Sequence, residues 1–449
     1  MAKPLTHDVA IIGGGPAGQA AALALANYDV SVAVIDEQPR PGGQILRQPA
    51  RRDTDWLPGR SYRSLKAQLV RFEALDRVCW LGARAVLDLQ PGRILIQCRD
   101  GIQEVTARHI VIATGCQDLA VPFPGWTLPG VYAAGGIQAL LKSQNILAGE
   151  RILLAGTHPL QLVIAEQIIR AGGQIAAVLF AQRQRAMLAP LLRAPGTSAR
   201  RARDLIAGGS AVRALRAARV PIRFGERLFR VLGTDSVVAA ETDAGMILCD
   251  AVGLCFGFVP QSALPRMVGA TVTPAMPAGG WRCAHDAWMR SSVHGIHVAG
   301  EVTGVAGAAA ATAGGTIAGI GIAQDLGLID PATAEAAAGP ARRALARHRA
   351  FAALLDKIAD PRPYLPALQS DTLVCRCEDV PLAVIAPPVA SGVSANAIKL
   401  ATRCGMGLCQ GRNCEPTLLR LIDEAGGVGD AGFTARFPAR PVRIGDLLP

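Results

Sequence analysis

Asp8-Val9-Ala10-Ile11-Ile12-Gly13-Gly14-Gly15-Pro16-Ala17-Gly18 opens the chain's structured part, and an Ala/Leu-rich run to Asn27 and an apolar β-branched segment, Val30–Ile35, follow it. A short apolar strand, a glycine cluster, a helix and a second apolar strand make a βαβ unit, the start of a parallel sheet. Each glycine has a job in such a turn. Gly13 allows the tight bend, Gly15 lets backbone approach a pyrophosphate, and Gly18 lets the helix pack closely on the strand. The helix starting at Pro16 and Ala17 points its free N–H groups and positive dipole end at the phosphates. A lone GxGxxG is weak. Here Asp36 closes the second strand 18 residues past Gly18, with Glu37 beside it, where a partner for ribose hydroxyls is expected.

The same unit recurs as a strand at Arg151–Ala155, a turn at Gly156–Pro159 and a helix at Leu160–Ala171. A third apolar strand, Ile296–Ala299, leads into a Gly/Ala-rich stretch. The expected fold is α/β, with two nested Rossmann-like dinucleotide-binding domains. The second turn is damaged. It reads Ala155-Gly156-Thr157-His158-Pro159-Leu160-Gln161, so a histidine stands where backbone should meet pyrophosphate. No acid closes the following strand, which runs into Ala181-Gln182-Arg183. NAD(P) is therefore not expected, although Arg183 or Arg185 would suit a 2′-phosphate. His158 reads as a steric substitution rather than a catalytic base.

Composition narrows the class. The chain has 449 residues, half of them hydrophobic, with 49 Gly and few aromatics, which suits close-packed α/β units rather than disorder. The net charge is +11, and twelve Arg between Arg183 and Arg230 face only Asp204 and Glu226. That stretch reads as a solvated face or as a docking surface for an acidic partner. Nucleic acid is not expected, because no binding module or aromatic interleaving accompanies the charge. The longest charge-free apolar stretch, Val302 to Gln324, reads as a buried loop and helix rather than a membrane span. No signal peptide is read before the first strand. The expected location is the cytoplasm or the cytoplasmic face of the inner membrane.

Three further segments resemble motifs of two-dinucleotide-domain flavoproteins. Val111-Ile112-Ala113-Thr114-Gly115 resembles their ATG segment. Pro41-Gly42-Gly43-Gln44 resembles the loop beside the flavin ring. Ile296-His297-Val298-Ala299-Gly300-Glu301 resembles their second FAD motif, with Glu301 where Asp is commoner. The resemblance covers roughly residues 7–325 and implies FAD. No CxxC or CxxxxC lies near Gly43, and Cys116 reads as a core thiol, so a dithiol mechanism is disfavoured.

Of eleven Cys, five fall between Cys375 and Cys414. Cys375-Arg376-Cys377 is followed by Cys404-Gly-Met-Gly-Leu-Cys409-Gln-Gly-Arg-Asn-Cys414. Clustered thiols in a large enzyme-like chain point to metal rather than disulfides. Four thiolates hold a [2Fe-2S] cluster, and glycines at 405, 407 and 411 would let N–H groups approach the sulfurs. Four Cys equally make a zinc site, which stays the competing reading. The segment resembles the Bfd-like [2Fe-2S] domain, and matching its motif gives Cys375, Cys377, Cys409 and Cys414 as ligands, with Cys404 extra. Pro387-Pro388 interrupts the helix expected between the pairs.

Taken in order, these segments resemble the A (or α) subunits of opine oxidases, D-hydroxyproline dehydrogenase and hydrogen cyanide synthase. From Pro331 to Leu368 Ala, Arg and Pro dominate, which reads as a linker with a helix over Arg342–Lys357, and the tail after the Gly-rich break at 426–432 contains Pro438 and Pro441 and reads as extended. The chain is thus expected in six parts: a first FAD part (1–120), a degenerate nucleotide fold (121–285), a second FAD part (286–330), the linker (331–368), a small, mainly helical [2Fe-2S]-binding domain (369–425), and the tail (426–449). The resemblance implies an FAD and [2Fe-2S] electron-transfer subunit in a hetero-oligomer. An FAD-containing β subunit resembling glycine or D-amino-acid oxidase would oxidise the substrate, with a small third subunit and an interfacial FMN in some relatives. No catalytic residue is assigned, since no His/Asp/Glu constellation resembles a substrate-oxidising site. The alternatives are a stand-alone NAD(P)H-dependent reductase and a flavoprotein sensor.

Overall fold

The computed structural model describes residues 4–47, 60–99, 101–196, 202–427 and 429–447. The strand Leu5–Ile12 is flanked in parallel by Val32–Ile35 and Gly101–Ile112, with Val9 opposite both Val32 and His109. Val78–Leu81 extends the sheet beyond Val32–Ile35. The long strand Gly101–Ile112 serves two partners along one edge. Its first half pairs with the hairpin strand Arg93–Cys98, and its last residues pair in parallel with Ile296–Val298. The first fold is therefore completed by chain that returns from far downstream.

The helix Ala308–Asp325 brings that return home. It packs on the first helix, Pro16–Leu25, with backbone nearly touching backbone. A Cβ on Gly315 would lie 2.0 Å from the Ala17 carbonyl oxygen, and one on Gly319 2.7 Å from that of Ala21. This explains the Gly/Ala-rich composition: only small residues allow the approach. Among the described residues no helix is long and apolar enough to cross a membrane.

The second fold is a five-stranded parallel sheet in the order Ile222–Phe224, Gln174–Phe180, Arg151–Gly156, Ala251–Cys255, Val131–Ala133. The chain enters and leaves it through one antiparallel ribbon, Cys116–Asp118 against Phe258–Pro260. A three-stranded antiparallel sheet over residues 228–248 is appended to it.

Two expectations need correction. The stretch read as a linker is one helix, Pro331–Ile358, capped by Asp330, whose carboxylate accepts from the Ala332 and Thr333 N–H groups. It begins eleven residues before Arg342 and buries Ala334, Ala338 and Leu345 against the first fold. Its many alanines carry strong helix propensity, and they pack closely where a composition-based reading sees a spacer. Likewise Pro387 and Pro388 do not break the helix at that point; both lie inside Leu382–Ala390. The helix is short, and Ile385 and Val389 pack it into the domain core, which offsets the missing N–H bonds.

The last domain adds the ribbon Leu373–Cys375/Val380–Pro381 and helices Ala395–Thr402 and Glu415–Glu424. The tail lies over other parts, where Ala439 N–H donates to the Leu87 carbonyl and Arg440 pairs with Glu37, and it ends in a short helix, Ile444–Leu447, rather than staying extended.

Candidate functional site

At the first glycine turn the three glycines behave as their spacing demands. A Cβ on Gly18 would sit 1.9 Å from the Gly13 carbonyl oxygen, so helix and strand touch there. A Cβ on Gly15 would meet nothing nearer than the Gly43 Cα at 3.7 Å. The space over Gly15 is open, and it faces the Pro41–Gln44 loop, whose Gly42 N–H donates to the Gly14 carbonyl. Asp36 is half-buried beneath this cradle. It accepts from the Gly14 N–H (2.6 Å) and the Gln38 N–H (2.7 Å), and burial raises its pKa despite those bonds.

The later motifs converge on the same region. Thr114 Oγ1 donates to the Gln261 carbonyl, and the Gln261 N–H returns a bond to Gly115, so this segment is locked where the two folds join. Gly300 (φ +81°) carries the chain past Ala17. Glu301 Oε1 accepts from the Gly307 N–H at 2.8 Å, while its Oε2 is buried without a hydrogen bond of normal geometry, and the Cys116 thiol lies beside the carboxyl. Burial pushes this carboxyl up to about 7. An unpartnered buried carboxylate oxygen asks for a hydroxyl donor, which the sugar-alcohol chain of a flavin would supply. The residues present fit FAD.

Geometry of this kind defines a flavin-dependent oxidoreductase built on two dinucleotide-binding folds. The chain belongs to the pyridine nucleotide-disulphide oxidoreductase family, whose model matches residues 7–323. Along its whole length it is similar to the opine oxidase A subunit of Rhizobium meliloti (strain 1021), at 33% identity over 460 residues and 98% of each chain. It is also similar to hydrogen cyanide synthase subunit HcnB of Pseudomonas protegens, at 30% identity over 98% of this chain and 97% of the relative. Both relatives are named as enzyme subunits. In fold it matches L-proline dehydrogenase from P. horikoshii with a TM-score of 0.72 and 20% identity, covering 100% of this chain and 80% of that one.

The second glycine turn is closed. The Thr157 and His158 N–H groups both donate to the Cys255 carbonyl at 2.9 Å. Thr157 Oγ1 donates to the Ala359 carbonyl (2.7 Å), and Gln182 Nε2 bonds both the Thr157 and Ile358 carbonyls (2.6 and 3.0 Å). The C-terminal end of the helix Pro331–Ile358 is thus stitched onto the turn. His158 packs edge-on against Phe258, accepts from the Leu160 N–H at Nδ1, and is pushed by burial down to about 4. It is a neutral packing group, as the steric reading expects.

In the last domain the cysteines divide into two sets. Cys375, Cys404 and Cys414 are buried in the domain core, with sulfurs within 4.8 Å of one another. Cys377 is exposed and interacts with Cys409, which is half-buried. Hydrogen bonds from Cys404 and Cys414 pull the Cys375 thiol far down, towards thiolate at neutral pH. Soft sulfur donors gathered this way fit an iron–sulfur or zinc centre.

The glycines play more varied roles than expected. The Gly405 N–H does reach Cys375 Sγ at 3.5 Å. Gly411 instead makes room for Phe433, whose ring would lie 2.4 Å from a Cβ there; Gly407 avoids Cys377, whose Cβ would lie 2.2 Å away. The domain docks on both folds. Gln117 Nε2 donates to the Arg412 carbonyl (2.6 Å), Trp126 Nε1 to the Leu373 carbonyl (2.8 Å), and Arg266 pairs with Glu415.

Sequence reasoning missed two features. Lys142 is buried, its Nζ near the Ile45 carbonyl (3.3 Å) and Tyr62 Oη (3.4 Å), and burial drives it down to about 7. A lone lysine on the mostly apolar helix Ala134–Gln144 was the available signal. His109, His297 and Asp325 also come together with metal-ligand spacing. However, Arg290 already engages both Asp325 oxygens, and a guanidinium there opposes a dication, so this is a structural ion pair. The Arg-rich stretch is partly self-neutralised, Arg223 pairing with Glu226 and Arg230 with Glu241; its residues 197–201 lie outside the described residues.

Proposed function

We propose that this chain is the FAD- and [2Fe-2S]-carrying electron-transfer subunit of a heteromeric amine or imino-acid dehydrogenase of opine, D-hydroxyproline, proline or glycine type. A catalytic flavoprotein β subunit would supply its electrons. The observation that carries this reading is the closed second turn. The dinucleotide cradle that would admit a nicotinamide donor is filled by the chain's own backbone at Ile358 and Ala359. The flavin then needs another donor. The sequence carries no CxxC or CxxxxC near Gly43, and the similar proteins are named as subunits.

In this reading Gly13, Gly15, Pro16, Ala17 and Gly18 hold the pyrophosphate, and Asp36 with Glu37 borders the ribose. Gly43, Gln44, Thr114 and Gly115 border the ring, while Gly300 and Glu301 hold the ribityl chain. Cys375, Cys377, Cys409 and Cys414 hold the cluster. A flavin takes two electrons as a hydride and an iron–sulfur cluster passes single electrons, so the pair splits a two-electron input. The chain's own contribution is positioning: Gln117, three residues past Thr114, clamps the backbone between Cys409 and Cys414.

The test is expression with and without a flavoprotein partner, measuring dye reduction by opines, D-amino acids, proline derivatives and glycine. Amine-dependent reduction should need both chains. Robust reduction by this chain alone refutes the relay role, and fast bleaching of its flavin by NADPH supports the reductase alternative.

A further inference from the structure

Five thiols converge where a [2Fe-2S] cluster has four ligand positions. The motif match leaves Cys404 over, and the structure gives it a place no bystander needs. It is fully buried and stands between Arg403 (φ +65°) and Gly405 (φ +88°), left-handed residues on either side of one cysteine. That turn delivers its sulfur to within 4.8 Å of the sulfurs of both Cys375 and Cys414. Cys255, a true core thiol of this chain, sits instead among apolar side chains such as Ala134, Ile137 and Leu154.

The three inner thiols come from different elements: the strand Leu373–Cys375, the turn after the helix Ala395–Thr402, and the N-cap of the helix Glu415–Glu424. They are equally buried, and all their sulfurs lie within 4.8 Å of one another. Cys377 and Cys409 pair with each other at the solvent-facing side and have no such spare neighbour among the described residues.

We propose that Cys404 is an interchangeable ligand: any two of Cys375, Cys404 and Cys414 serve the inner half of the centre, whereas Cys377 and Cys409 are both indispensable. The proposal rests on the cluster reading above. In an exchange, one sulfur–metal bond breaks and one forms, and the incoming thiol's proton passes to the departing thiolate. Charge and oxidation level stay constant, because a ligand must be deprotonated to bind.

The experiment is iron and sulfide analysis with EPR of the dithionite-reduced full chain, reconstituted anaerobically. Circular dichroism and protease resistance of the segment after residue 368 report that the cysteine domain of each variant is folded, and FAD content reports that the first fold is intact. Cys375→Ala and Cys414→Ala should each keep two irons per chain with altered g-values, as should Cys404→Ala with smaller changes. Cys377→Ala, Cys409→Ala and the double variant Cys404→Ala/Cys414→Ala should fall to background iron. If Cys414→Ala disturbs folding, the isosteric Cys414→Ser replaces it, alone and with Cys404→Ala. Loss of the centre in both inner single variants overturns the exchange, and so does its survival in the double variant. Zinc in the wild-type protein would defeat the iron reading, while the same pattern read as zinc content would still decide the exchange.

Discussion

The two glycine turns, Gly13–Gly18 and Gly156–Gln161, start from one supersecondary plan and end as opposites. In the first, the position over Gly15 is open and the nearest facing atom is another glycine. In the second, His158 fills the equivalent position, two N–H groups of the turn are bound to Cys255, and a helix end closes the mouth. The second unit keeps its sheet and helix although its turn is closed, because its core depends on Leu153, Ala155 and Ile164 rather than on the turn. The difference teaches that fold and site are separable, even between two units of one chain.

The largest expected effect sharpens the contrast. Gly15→Val should leave the fold intact, since a Cβ there meets only the Gly43 Cα at 3.7 Å, yet weaken FAD binding about a hundredfold, matching the ~3 kcal/mol lost with backbone bonds to a charged group. Flavin absorbance after gel filtration measures it. Stoichiometric FAD in that variant would mean the cradle is elsewhere.

Next in size is the closure of the second turn. Gln182→Leu removes the donor to two buried carbonyls and should destabilise the chain by about 1–3 kcal/mol, with Thr157→Val costing a smaller part of that range. Denaturant melts give the loss, and calorimetry should find no NADPH binding to the wild type. Micromolar NADPH binding would break the comparison outright.

The smallest effect lies at the seam between the folds. Lys142 buries its amine against Ile45 and Tyr62, and burial lowers its pKa from 10.5 to about 7. Between those values the unfolded chain binds the proton that the folded chain has released, so stability should rise as pH goes from 7 to 10.5. Lys142→Met should flatten that rise and stabilise the protein by about 1–2 kcal/mol near pH 7, read as a gain in Tm.

What was legible in the sequence follows from what is local. Gly18 and Asp36 are diagnostic because their constraints act within one βαβ unit. The damage at His158 was visible for the same reason. Its consequence was not, because the plug comes from Ile358 and Ala359, two hundred residues away and hidden in a stretch whose Ala/Arg/Pro composition reads as spacer. The cysteine spacing marked a gathering of thiols but could not rank the five, since Cys404 reaches Cys375 through a turn that holds Arg403 in the left-handed region. Lys142 needed the tertiary neighbour Tyr62 before its burial had meaning.

The return of Ile296–Val298 to the edge of Gly101–Ile112 also sets an order of events during synthesis. A ribosome releases the whole of the second fold before residue 296 exists, so that inserted unit can close first. Until then the Ala17 and Ala21 face of the first helix has no partner, because Gly315 and Gly319 are still unmade. Contacts this far apart in sequence form slowly and leave apolar surface bare in the interval. The flavin cradle, which needs Gly300 and Glu301 as well as Gly15, is therefore among the last parts of the molecule to be assembled. Truncations that stop short of residue 325 would yield a chain with a well-formed insert and an unfinished, aggregation-prone shell around it.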